Sequence, residues 1–191
     1  MAGRLSRLAA VAANTFRETV RERVLYNLVF FAIIMTLAGL LLGQLSIRQD
    51  EKVLKDIGLA AMDLFGTLIA IFIGVGLVSK EIERRSLYPL LVKPLSRGEF
   101  FLGKYAGLAF TLLVNLAVMT LGLYATLLAT GWGADPLLLA AVYPIFLGLL
   151  LVVALAMLFS TLTSSTLAAV FTVGVVVAGR FSDVVRNMRE V

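Results

Sequence analysis

Apolar residues in this chain are gathered into runs long enough to cross a lipid bilayer, and that arrangement constrains the fold more than any motif. A bilayer core of about 30 Å is crossed by roughly 20 residues of helix at about 1.5 Å each. Backbone polar groups within lipid must be satisfied inside the segment itself, so such runs are helices. They fall at 24–43, 61–79, 105–130 and 137–159, with a fifth at 163–179 that needs its preceding polar turn to reach spanning length. With 60% hydrophobic and 15% charged residues, a soluble domain of 191 residues would lack the charge to cover its surface. The expected fold is all-α, a polytopic transmembrane bundle of about five spans within residues 24–180.

The chain has no cysteine and no histidine, which excludes disulfides, Cys/His zinc sites and a Ser–His–Asp triad. A net charge of +5 does not indicate nucleic acid, because the bases cluster beside the apolar runs. Anionic lipid and the positive-inside rule account for that placement. The run at 24–43 is read as a retained span. It exceeds the roughly 7–15 apolar residues of a signal peptide, and an arginine-rich stretch precedes it.

Residues 1–23 read as an amphipathic interface helix. Leu5, Leu8, Ala9, Ala12, Phe16 and Val20 recur on one face, while Arg4, Arg7, Asn14, Arg17, Glu18, Arg21 and Glu22 occupy the other. Such a helix is expected to lie on the membrane surface with its arginines toward water and lipid phosphates. Arg23 falls on the apolar side, where a bend and a snorkelling side chain accommodate it.

Orientation follows from the loop bases. Arg4, Arg7, Arg17, Arg21, Arg23, Lys80, Arg84, Arg85, Lys93, Arg97 and Lys104 fall on one side of an alternating topology. Arg48, Lys52, Lys55, Arg180, Arg186 and Arg189 fall on the other. The excess places the amino terminus and the 80–104 loop in the cytoplasm, the expected setting being the inner membrane. The segment 44–58 is then an external polar connection, with Ile47, Val53, Leu54 and Ile57 able to rest on the interface. Residues 131–136 form a turn with Trp132 at the headgroups, and 160–166 form a tight polar turn. Ser182 and Asp183 are read as capping a short external amphipathic segment over 181–191.

Polar residues inside the runs are few. Asn27 and Asn115 lie within spans and are candidates for a pathway or a helix–helix contact, while Gln44 and Asp63 sit near span ends. No pair of acids lies deep in a span, so there is neither an ion-driven relay nor a paired-carboxylate catalytic site.

The stretch from Glu81 to Lys104 carries the functional signal. Glu81, Glu83, Arg84 and Arg85 are followed by Leu87, Tyr88 and Pro89, then by Lys93-Pro94-Leu95-Ser96-Arg97, and last by Phe101 and Gly103-Lys104. This loop resembles the first cytoplasmic loop of ABC-2-type transporter permeases. The arginine-rich leading helix and the order of spans are similar to that family along essentially the whole chain.

The resemblance implies a membrane subunit of an ATP-driven exporter, paired with a second permease subunit as a homodimer or heterodimer and with cytoplasmic ABC ATPase subunits. It implies a coupling element over Glu81–Leu95 that docks on the ATPase, with Pro94–Lys104 turning the chain into the third span and 160–166 as a second cytoplasmic contact. The chemistry of the residues agrees with this. Pro89 and Pro94 stiffen the backbone; Leu87, Tyr88 and Leu90 offer apolar docking; Arg84, Arg85 and Arg97 can pair with acids. Gly98 is expected to permit a close turn before Phe100 and Phe101.

No GxxxxGK[ST] loop is present, so the ATP and magnesium that the resemblance implies are expected on a partner subunit, and the chain itself is not expected to be an enzyme. Permeases of the family usually have six spans, and this chain presents five candidates before Val191. The alternative reading is a non-transporting assembly or scaffold subunit with a permease-like bundle.

Overall fold

The computed structural model describes residues 2–19, 30–31, 33–34, 50–83, 97–131, 133 and 135–187, with side chains described over 9–17, 30–31, 33–34, 52–76, 98–131, 133 and 135–181. All regular structure there is helical: α1 (Ala2–Thr19), α2 (Asp50–Glu83), α3 (Arg97–Ala129), α4 (Leu137–Leu162) and α5 (Ser165–Asn187). Phe30, Phe31, Ile33 and Ile34 are also helical.

Three described helices are long and apolar enough to cross a membrane, over Lys52–Gly76, Gly98–Ala129 and Leu137–Leu162. The apolar part of α5, Ser165–Phe181, is shorter. Seventeen residues at about 1.5 Å reach about 25 Å, less than the hydrocarbon thickness. The expectation of five spans is thus met by three; the run at 24–43 lies mostly outside the described residues.

Helix ends follow local chemistry. Gly131, at φ +83°, takes the left-handed conformation after α3 and donates its N–H to Leu128 O at 3.1 Å. Asp135 Oδ1 accepts the Leu137 N–H at 3.0 Å, satisfying a free donor of the first turn of α4. Thr163 is extended and closes α4 through its N–H to Phe159 O at 2.9 Å.

Several boundaries differ from the sequence reading. Residues 50–58 are the first turns of α2 rather than a surface connection, because Leu54 is fully buried there and Gly58 packs on Leu123. Gly98 lies inside α3 and makes no turn. The polar turn at 160–166 is reduced to Thr163 and Ser164: Ser160 remains helical with its Oγ 3.4 Å from Val75 O. Helix α5 runs through Ser182 and Asp183 without a break, so these residues cap no separate helix.

Helix α2 packs on both α3 and α4. A Cβ on Gly74 would stand 2.7 Å from the Ala156 Cβ, and one on Gly66 would stand 2.8 Å from Leu149 Cδ1. Small residues bring the two backbones close, which is how helices associate where lipid removes the hydrophobic driving force. One cluster joins Ile69, Val75, Leu108, Leu112, Leu149, Val153, Ala156 and Ala168. A second joins Phe31, Leu54, Met62, Phe65, Leu116, Met119, Leu123 and Leu138. One end of the bundle gathers Lys55, Asp135 and the α3–α4 turn; the other gathers the end of α2, the start of α3 and the α4–α5 turn.

Candidate functional site

The segment expected to couple to a partner begins on the last turn of α2. Glu81 and Glu83 are helical, and Arg97 opens α3. Arg84, Arg85, Leu87, Tyr88, Pro89 and Pro94 lie outside the described residues. α3 therefore rises from the carboxyl side of this loop as one unbroken helix.

The leading helix departs from a purely surface role. Arg4 and Arg7 are on the helical backbone of α1, Arg17 is exposed, and Arg21 lies outside the described residues. Yet α1 packs on α3: a Cβ on Gly107 would stand 2.7 Å from both Ala12 O and Thr15 Cβ. Thr15 is buried, and Phe16 meets Phe110 edge to face with centroids 4.9 Å apart. The face that packs is Val11, Ala12, Thr15 and Phe16, while Ala9 is exposed. Lys104, expected as a loop base, is buried on α3 with its Nζ 4.6 Å from the Phe100 ring centroid.

Polar groups within the apolar region are mostly satisfied. Thr111 donates to Gly107 O, Thr120 to Leu116 O and Thr172 to Ala168 O, the usual way a hydroxyl is accommodated on a buried helix. Asn115 is the exception: it is 3% exposed and its Nδ2 has no hydrogen-bond partner among the described residues. Leaving such a donor unpaired costs about 1–3 kcal/mol. Asn27, the other pathway candidate, lies outside the described residues.

Two long-range ion pairs escaped the sequence reading. Arg180 Nη2 lies 2.6 Å from Asp63 Oδ2 and donates to Thr67 Oγ1 at 3.1 Å, joining α5 to α2. Lys55 Nζ lies 3.0 Å from Asp135 Oδ2, and Tyr124 Oη donates to Asp135 O at 2.8 Å. The Leu137 N–H first, and the Lys55 ammonium after it, hold the Asp135 carboxyl below its ordinary value. An acid and a base inside or beside separate apolar runs were the only available signal, and it does not specify the pairing.

These features define a multi-pass membrane protein built as an all-α bundle. No cluster of His, Cys, Asp and Glu suited to a metal occurs among the described residues. The family model for ABC-2 family transporter protein matches residues 9–182. The chain belongs to that family, whose members are non-catalytic, permease-type transport subunits. No curated protein and no solved structure matches it.

Proposed function

We propose that this chain is the permease subunit of an ATP-driven exporter in the inner membrane, with its amino terminus cytoplasmic. It pairs with a second permease subunit and with cytoplasmic ABC ATPase subunits, which hold ATP and magnesium. The observation that carries this reading is the family match over residues 9–182. The basic loop between α2 and α3, with its two prolines, supports the same reading. Coupling runs through Glu81, Glu83, Arg84, Arg85, Leu87, Tyr88, Pro89, Pro94 and Arg97, where arginines meet acidic groups of the ATPase and a restricted backbone passes the motion into α3.

Arg97→Glu tests the reading. It turns attraction into repulsion, so the variant should insert into the membrane normally, lose the ATPase in a detergent pull-down and lose substrate-stimulated hydrolysis. Normal retention and normal stimulation would remove Arg97 from the coupling element. A chain that binds the ATPase without raising its turnover under any condition would instead be an assembly subunit.

A further inference from the structure

We infer that Asn115 and Thr111 hold a water molecule within the membrane-spanning part of α3. Asn115 lies fourteen residues before the end of α3 at Ala129, about 21 Å along the axis, which puts it deep in the apolar region. Its Nδ2 is a buried donor without a partner among the described residues. Leu112 and Leu116, beside it on the same helix and equally buried, have no side-chain acceptor. The Thr120 hydroxyl proton is already given to Leu116 O at 2.7 Å.

Thr111, one turn before Asn115, completes the site. Its hydroxyl donates to Gly107 O at 3.0 Å, which leaves oxygen lone pairs free to accept. Residues four apart on a helix are neighbours on one face, so a single oxygen atom placed between their side chains can meet both. A buried water needs about two to four polar partners, and the Asn115 amide with the Thr111 hydroxyl supplies them. A water there satisfies the amide without another side chain.

The test has two arms, both on the full chain purified with any subunits that accompany it. Cryo-electron microscopy at a resolution that shows ordered solvent should reveal a peak within about 3.2 Å of Asn115 Nδ2. Nδ2 bonded directly to a protein oxygen, or left with no peak beside it, overturns the inference. In the second arm Asn115→Leu and Thr111→Val should each lower the melting temperature by about 2 °C or more, because each leaves the water short of a partner. The double variant should fall no further than the worse single one, since the water then leaves altogether. A rise in melting temperature for Asn115→Leu would show a dry, unsatisfied amide and also overturn it. Should Asn115→Leu fail to accumulate, the density around wild-type Asn115 decides.

Discussion

Arg180 on α5 and Asp63 on α2 form an ion pair, Nη2 to Oδ2 at 2.6 Å, that ties the two helices together. The exposed residues Val173, Val175, Val177 and Phe181 surround the Arg180 end of α5. Beside the packing of Val176 on the core, the pair and the hydrogen bond Arg180 gives Thr67 tie that half of the helix to α2. Asp63→Arg and Arg180→Asp should each lower the melting temperature in detergent, and the exchanged double variant should recover part of the loss. A coupling of about 1 kcal/mol is expected from the double-mutant cycle. Strict additivity would mean that the pair contributes nothing.

Gly107 fixes how closely α1 approaches α3. Gly107→Leu places a Cβ 2.7 Å from a backbone oxygen, Ala12 O, which cannot swing away as a side-chain tip can. Overpacking of this kind costs about 1–3 kcal/mol. The variant should expose α1 to trypsin at Arg17 several-fold faster, whereas Gly98→Leu, with nothing within 4 Å of its Cβ, should not.

The contact between α2 and α4 makes a second comparison within one helix. Gly74→Leu pushes against Ala156, while a Cβ on Gly76 meets nothing within 4 Å. We expect Gly74→Leu to reduce the folded yield after detergent extraction and Gly76→Leu to leave it near wild type. Equal losses would mean that the loss follows from replacing any helical glycine and not from this packing.

Asp135 makes stability depend on acid. Its carboxyl is held below the ordinary value of 3.8. The folded state therefore prefers the charged form, and the contribution is complete above that value and fades as pH falls through the lower folded value. Asp135→Asn should lower the melting temperature at pH 7, with the gap to wild type closing below about pH 3.8. A gap that stays constant down to pH 3 would assign the loss to packing.

Orientation is open to a direct check because the native chain has no thiol. Cysteines at Gly133 and Ser164 occupy turns at opposite ends of α4. Only Gly133→Cys should react with an impermeant reagent outside intact cells. Labelling of Ser164→Cys alone would invert the proposed topology.

The sequence reveals the spans readily, since runs such as 105–130 and 137–159 must be helices in lipid whatever surrounds them. It misplaces the start of α2 because Lys52, Lys55 and Asp56 look like a surface connection; only the fold shows Leu54 buried between them. Lys104 is misplaced for the same reason, since a base at the end of a loop is indistinguishable from one about two helical turns inside. Asn115 stands out in the sequence as a polar residue in an apolar run, but its lack of a partner is a property of the surrounding helices. The pairings Asp63–Arg180 and Lys55–Asp135 join distant positions, and no local pattern encodes them.

The tight seat of α1 on Gly107 divides α3 unequally. Ten residues separate Gly107 from Arg97 and twenty-two separate it from Ala129, arms of about 15 Å and about 33 Å on one rigid rod. Were α3 to turn about that seat as one rigid body, a push of about 1 Å at Arg97 would swing the opposite tip by about 2 Å in the reverse direction. Shifting the fulcrum along α3, by moving the glycine one turn toward Arg97 or away from it, would change that gearing without touching either end.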